Sequence, residues 1–257
     1  MPFQDNSSVI SIRNRQLLFI VIVLFALIYA SISLVNHFNF RTYALDLGYM
    51  NQALHSLSRL RMPVYTLDIT GREMSFFSTH FSLIMLLYVP FYYLLGSYTL
   101  LVLQLVSVLA GGIGVYRLSI ERGNTPDLSL VILIFYFSFW GIFSALSFDF
   151  HNSVIAAMIL PWFILLMERR NYTGAVILFI LMLMCRESVS LWLIFVILAE
   201  IIRDMQKRKP LSRIKLSLII FSLTWFIVVS MVIMPSLLPE GVAGQFDKYS
   251  HLGGSFT

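Results

Sequence analysis

Charged side chains are scarce in this sequence. Asp, Glu, Lys and Arg make up 12% of its 257 residues, whereas soluble domains carry about 25%. Hydrophobic residues account for 58%, and the mean hydropathy is +0.83. This composition excludes an ordinary soluble domain and indicates a polytopic membrane protein. Because lipid cannot satisfy backbone hydrogen bonds, the expected fold is an all-α bundle of transmembrane helices.

Cysteine is almost absent, and several catalytic motifs are missing altogether. The single cysteine, Cys185, lies in an apolar run, so an intrachain disulfide and a zinc site built from cysteines are both excluded. The sequence has no Walker motif, no His-Glu-x-x-His and no Gly-x-Ser-x-Gly. The net charge of +5 does not indicate nucleic-acid binding, because the basic residues flank apolar segments.

Apolar segments of about 20 residues can cross the hydrocarbon core of a bilayer. The segments 17–35, 98–117, 128–147 and 215–234 reach this length, and 81–95 and 153–167 are shorter. A longer stretch, 173–202, is interrupted by Arg186 and Glu187. We therefore expect about six spans plus a re-entrant or juxtamembrane helix at 81–95.

Basic residues predict the orientation of these spans, since cytoplasmic loops are enriched in Lys and Arg. The densest group comprises Arg203, Lys207, Arg208, Lys209, Arg213 and Lys215. The pattern predicts a cell (inner) membrane protein with residues 1–16 in the cytoplasm, a membrane domain 17–234, and an extracytoplasmic segment 235–257. The outer loop 36–80 would carry a juxtamembrane helix. In an alternative topology, 81–95 crosses fully and 173–202 forms one long tilted helix. It would leave Arg169 and Arg170 outside and Asp149 in the cytoplasm.

The predicted juxtamembrane helix covers residues 45–58. At about 100° per residue its apolar side chains form one stripe: Leu47, Met50, Ala53, Leu54 and Leu57. Asp46 falls within that stripe, where an acid needs a partner, a proton or a function. It is a candidate general base, metal ligand or acceptor for a substrate hydroxyl. The alternative is a structural ion pair with Arg41 or Arg72.

The preferred topology places ionisable residues from several segments at one extracytoplasmic end, where they would line one polar cavity. They are Asp46, His80, Asp149, His151, Arg186 and Glu187.

Five of these residues, which lie in three segments, have competing interpretations. Asp149 and His151 could bind a divalent cation or a sugar hydroxyl, or Asp149 and Asn152 could simply cap the helix that begins near Ser153. Arg186 could bind a phosphate, or Arg186 and Glu187 could form the polar tip of a helical hairpin. His80 could meet a phosphate or carboxylate, or could be an interfacial histidine.

Two further patterns have less specific interpretations. Arg59 and Arg61 could screen anionic lipid or bind a pyrophosphate, or could belong to a solvated face. Gly111, Gly112 and Gly114 lie inside an apolar segment, which predicts close helix packing and not a nucleotide-binding loop.

Several spaced motifs together resemble one family. They are Leu45-Asp46-Leu-Gly-Tyr-Met-Asn-Gln-Ala-Leu, Pro63-Val-Tyr-Thr, His80-Phe-Ser-Leu-Ile, Phe148-Asp-Phe-His151 and Arg186-Glu187. The chain resembles the bacterial predicted-membrane-protein family labelled domain of unknown function 2079, which is grouped with the GT-C class of glycosyltransferases. Ser188 departs from the family's usual acid at that position. Family members are considerably longer, so we expect this chain to be the N-terminal half.

The resemblance implies a GT-C-like glycosyltransferase that uses a polyprenyl-phosphate-linked sugar at the outer membrane face. It implies Asp46 and Glu187 as catalytic residues, and Arg186 and His80 on the phosphate side. Asp149 and His151 would meet the acceptor or a divalent cation. The alternatives are an ion-coupled transporter, for which inverted repeats would be expected, and a truncated, non-catalytic membrane protein. The partners expected are the bilayer and a lipid-linked sugar, with no nucleic acid.

Overall fold

The computed structural model describes residues 12–66 and 73–238 and divides the chain into two compact units. The first unit contains the residues up to Leu47 together with Leu94–Met182, and the second contains Gly48–Tyr93 and the residues from Leu183 onward. Helices dominate both units, and the described residues contain one pair of two-residue strands. The predicted all-α class is confirmed. The expected extracytoplasmic segment 235–257 lies mostly outside the described residues.

The helices are numbered in chain order. They are α1 (Ile12–Phe38), α2 (Tyr49–Ser58), α3 (Phe76–Thr79), α4 (Met85–Leu95), α5 (Thr99–Glu121), α6 (Pro126–Phe137), α7 (Trp140–Ser147), α8 (Asn152–Glu168), α9 (Tyr172–Cys185), α10 (Val189–Gln206), α11 (Arg213–Val228) and α12 (Met234–Ser236). The strands are β1 (Val64–Tyr65) and β2 (Met74–Ser75), which pair antiparallel. π-helical turns occupy Ala44–Gly48 and Val229–Ile233, and a 3₁₀ turn occupies Gly96–Tyr98.

Three helical stretches of the described chain are long and apolar enough to cross a membrane: Ile12–Phe38, Met85–Glu121 and Arg213–Ser236. A fourth span results if α6 and α7, which meet at a bend of 42°, are counted as one. The segment expected as a separate arm, 81–95, corresponds to α4, and the chain continues through the 3₁₀ turn into α5. Gly96 has φ +54° in that turn, a conformation that glycine adopts without the steric cost of a Cβ.

The bend between α6 and α7 leaves a backbone group that the first unit satisfies from another helix. Because α6 ends at Phe137, the carbonyl of that residue lacks an intrahelical donor. The Tyr29 hydroxyl of α1 donates to this carbonyl at 2.7 Å. Tyr29 and Phe137 are fully buried, and their rings pack edge to face with centroids 6.0 Å apart. The aromatic core and the bent span therefore depend on the same pair of residues.

Glycines allow the helices of the first unit to approach closely, as the sequence predicted. A Cβ on Gly111 would lie 2.8 Å from the Met158 sulfur of α8, and one on Gly112 would overlap the ring of Phe137. A Cβ on Gly114 would meet Trp162 Nε1 at 2.8 Å. Since a Cβ closer than 3.0 Å to another atom would force a neighbour to shift, glycine at these positions permits the close packing.

Ion pairs gather at one end of the first unit. Two reciprocal pairs join the ends of α5 and α8: Arg122 with Glu168 at 2.9 Å, and Arg169 with Glu121 at 2.7 Å. At the start of α1, Arg13 lies 3.4 Å from Asp127 at the start of α6. The basic residues that flank these helices therefore lie together at one end. Arg13 and Arg169 thus lie at the same end of this unit, whereas the alternative topology would place them at opposite faces of the membrane.

The second unit contains the predicted amphipathic helix. α2 and the turn before it bury the apolar stripe predicted from the sequence: Leu47, Met50, Ala53, Leu54 and Leu57 are all at most 8% exposed. Gln52 on the opposite side accepts the Thr66 N–H at 3.0 Å, which attaches the end of β1 to α2. These short strands were not predicted, because Pro63-Val-Tyr-Thr is too brief to show an alternating pattern.

Lys215, a member of the densest basic group in the sequence, is buried at 6% exposure. Its Nζ lies 2.7 Å from Asp204 Oδ2 and 3.7 Å from Glu200 Oε2. Arg203 lies 2.7 Å from the same Glu200 carboxylate. Because a buried charge must be paired, this network fixes α11 against α10.

Replacing Gly112 by alanine should destabilise the protein by about 1–3 kcal/mol, since the new methyl group would overlap the ring of Phe137. The measurement is thermal unfolding in detergent. Val106→Leu, at an exposed position of the same helix, is the control and should leave the melting temperature nearly unchanged. Equal melting temperatures for Gly112→Ala and the unmodified chain would contradict the close packing.

Candidate functional site

The turn between α7 and α8 is organised by Asp149. This residue is 3% exposed and has φ +61°, in the left-handed region that Asp tolerates better than most residues. Its Oδ2 accepts the backbone N–H of Tyr43 at 2.6 Å. The expected capping role is wrong, because the N-cap of α8 is His151 and makes no side-chain capping bond. The Asp149 carboxylate instead holds the segment that follows α1.

Gln104 of α5 supports the same turn, and sequence reasoning missed it. Its side chain is fully buried, its Nε2 donates to the Asp149 carbonyl at 2.7 Å, and its Oε1 accepts the His151 N–H at 2.8 Å. The sequence did contain a signal for Gln104, because it is a polar residue within an apolar segment, where its side chain needs a hydrogen-bond partner.

Asp46 lies in the π-helical turn at Ala44–Gly48, three residues after the backbone group that Asp149 holds. Its side chain is half-buried. No hydrogen bond or ion pair involves its carboxylate among the described residues, which include Arg41. Arg72, the other expected partner, lies outside the described residues. The Asp46 carboxylate is therefore available at the end of the first unit where Asp149 lies.

The two acids influence each other electrostatically. The pKa of Asp149 is raised, mainly by burial and in addition by the negative charge of Asp46. The hydrogen bond from the Tyr43 N–H and the neighbouring His37 and His151 act in the opposite direction and lower this pKa. His37, at the end of α1, was given no role from the sequence. One of its ring nitrogens lies 3.1 Å from Thr42 Oγ1 and the other 3.1 Å from Ser97 Oγ.

Aromatic side chains lie beside the acids. Phe148 stacks on His151 with centroids 5.6 Å apart and also contacts Tyr43 at 5.7 Å. In the part of the chain that the structure describes, no group of three or more His, Cys, Asp or Glu side chains is arranged to hold a metal ion.

Glu187 organises a second polar turn, between α9 and α10. It is 7% exposed, its Oε2 accepts the Phe81 N–H at 3.1 Å, and its Oε1 lies 3.3 Å from Arg186 Nε. Adjacent residues point apart on a helix, but these two pair because the chain is not helical between Cys185 and Val189. The break falls where the charged residues interrupt the apolar stretch.

His80 lies next to this turn in the second unit. Its ring packs near Tyr49 and Phe76, with centroids 6.0 and 6.2 Å away. Ser82 donates to the Cys185 carbonyl at 2.7 Å, which joins the segment containing His80 to the end of α9. The six residues predicted from the sequence thus form two groups: Asp46, Asp149 and His151 in the first unit, and His80, Arg186 and Glu187 in the second.

These helices and their buried polar turns define a helical integral membrane protein, whose apolar helices indicate a membrane location. Residues 36–257 match the family described as "Predicted membrane protein (DUF2079)". The chain belongs to this family. No curated protein and no solved structure matches it.

Asp149→Asn should gain stability relative to the unmodified chain as the pH rises. The raised pKa means that folding favours the protonated carboxyl, so this contribution is complete below about pH 4, the ordinary Asp pKa, and is lost as the pH rises through the higher folded value. Asparagine can still accept the Tyr43 N–H. Melting temperatures of both proteins in detergent from acid to neutral pH test this, and a pH-independent difference would contradict it.

Glu187→Gln and Glu187→Ala should have different effects on folding. Glutamine can still accept the Phe81 N–H, whereas alanine leaves this buried donor without its acceptor, at a cost of about 1–3 kcal/mol. Thermal unfolding should therefore show a clear loss for alanine and a smaller one for glutamine. Equal stability of the alanine variant and the unmodified chain would exclude the structural role of this carboxylate.

Proposed function

We propose that the chain is part of a GT-C-like membrane glycosyltransferase that takes a sugar from a polyprenyl-phosphate carrier at the outer face of the cell (inner) membrane. The observation that carries the proposal is the pair of acids at one end of the first unit. Asp46 is half-buried without an ion-pair partner among the described residues, and Asp149 is buried beside it.

The positions of the charged residues support an outer location for these acids. Arg13, Arg122 and Arg169 lie at the opposite ends of the helices that lead to Asp46 and Asp149. Cytoplasmic ends are enriched in basic residues. The basic end would therefore face the cytoplasm, together with the N-terminus, and the acidic end would face outward.

The chemistry proposed is direct displacement at the anomeric carbon of the donor. The acceptor hydroxyl oxygen forms a bond to this carbon while the bond from the carbon to the phosphate oxygen breaks, and the polyprenyl phosphate leaves with the electron pair. Asp46 receives the proton of the hydroxyl as general base. Asp149 positions Asp46 by accepting the Tyr43 N–H. His151, which lies in the same turn as Asp149, would meet the acceptor.

Within the second unit, taken by itself, Arg186 and His80 are the residues proposed to bind a phosphate. Arg186 is 31% exposed at its side chain, so part of its guanidinium remains accessible although it pairs with Glu187. Guanidinium and imidazolium groups stabilise phosphate oxygens, and His80 would assist. The buried Glu187, proposed from the sequence as catalytic, orients Arg186 and holds the Phe81 N–H.

Replacing Asp46 by asparagine should lower sugar transfer by at least about 10²-fold, the contribution expected of a general base. The assay follows a radiolabelled sugar from polyprenyl phosphate into acceptor in membranes that contain the protein. Asp127→Asn, which removes an exposed acid at the basic end, is the matched control and should retain transfer.

The melting temperature of Asp46→Asn should be no lower than that of the unmodified chain, because no described residue pairs with this carboxylate and its negative charge acts unfavourably on Asp149. Undiminished transfer by Asp46→Asn would remove the acid from the mechanism.

A further inference from the structure

The turn after α2 exposes an apolar side chain where glycine would normally stand. Arg59, Leu60, Arg61 and Met62 form this turn, here called the 59–62 tip. The Leu60 N–H bonds to the Leu57 carbonyl at 2.9 Å, and the Arg61 N–H bonds to the Ser56 carbonyl at 3.0 Å. These two bonds are typical of a helix C-terminus at which one residue, here Leu60, adopts the left-handed conformation. Gly or Asn usually occupies this position.

Leu60 occupies this position with φ +55°, and it is 97% exposed. A branched side chain is strained in this conformation, and its exposure means that contacts within the protein do not offset the strain. Met62 is also exposed, at 59%. Two apolar side chains therefore project from a turn that glycine would form at lower cost.

Contacts of α2 place the tip beside the end of an apolar helix. His55 Nδ1 lies 3.1 Å from the Tyr92 hydroxyl, and the Tyr93 hydroxyl donates to the Ser58 carbonyl. Both tyrosines lie in the last turn of α4, which is part of a candidate membrane span. The tyrosines lie just before the 3₁₀ turn at Gly96–Tyr98, which interrupts the candidate span Met85–Glu121. Tyrosines are enriched at the membrane–water interface, and this favours an interfacial position for the tip.

The cations of the tip have no partner in the described protein. Arg59 and Arg61 are exposed, and neither has an ion pair or hydrogen-bonded side-chain partner among residues 12–66 and 73–238. Alternating Arg and apolar residues at an interface match a surface with anionic phosphates above hydrocarbon.

We propose that the 59–62 tip inserts Leu60 and Met62 into the membrane interface while Arg59 and Arg61 bind the phosphates of anionic lipid headgroups. This surface anchors α2, and it does not depend on the proposed transferase activity. Its partner is the lipid surface itself. A free phosphate offers the same anionic chemistry to the arginines but gives Leu60 no apolar environment.

A nitroxide label at Leu60→Cys tests the insertion. The protein is reconstituted in vesicles of phosphatidylcholine with or without phosphatidylglycerol. Collisions of the label with oxygen should exceed those with a water-soluble nickel complex, and phosphatidylglycerol should increase this difference. Glu73→Cys, an exposed position of the same unit, is the control and should show the opposite preference. Cys185 is fully buried, and the unmodified chain provides the labelling blank.

The arginines and the backbone are tested separately. Arg59→Gln together with Arg61→Gln should abolish the effect of phosphatidylglycerol, and inorganic phosphate added to neutral vesicles should not reproduce it. Leu60→Gly should melt in detergent no lower than the unmodified chain, because glycine relieves the strain. A label at position 60 as accessible to nickel as the one at position 73 would overturn the proposal. The proposal would also be overturned if inorganic phosphate increased the difference between oxygen and nickel collisions as much as phosphatidylglycerol does.

Discussion

The hydrogen bond from the Tyr43 N–H to the Asp149 carboxylate is the constraint on which the candidate site depends. It joins two segments separated by 106 positions in the chain, at 2.6 Å and largely out of water. A hydrogen bond to a charged group contributes about 1.5–3 kcal/mol, enough to hold the loop after α1 in one place. Gln104 supports the turn from the other side. Asp46 is then presented on a segment whose position is fixed three residues earlier.

Periodicity and charge predicted much of this arrangement. The apolar stripe of α2, the glycine contacts of α5 and the interruption at Arg186 and Glu187 each follow from local rules, namely the helical repeat, the absence of a Cβ and the cost of charge in lipid. The motif around Asp149 also pointed to a polar turn. Each of these features is determined by residues that are close in the sequence or share one helix face. They can therefore be predicted from a single sequence.

The partners of the polar groups could not be predicted in the same way. Asp149 was expected to cap the helix that follows it, but its carboxylate accepts the Tyr43 N–H instead. Lys215 was grouped with the basic residues predicted to face the cytoplasm, and its pairing with Asp204 and Glu200 in the interior was not predicted. In both cases the partner is set by which helices pack together, and that depends on distant side chains.

The central claim, that Asp46 and Asp149 lie at one outer end of the first unit, is tested most directly by labelling single cysteines in intact cells with a membrane-impermeant maleimide. Cysteines at Arg41 and Phe148 should react from outside, because both positions are exposed beside the acids. A cysteine at Asp127, at the basic end, should react only after the membrane is permeabilised. Labelling of Arg41→Cys and Phe148→Cys from opposite faces would contradict the account.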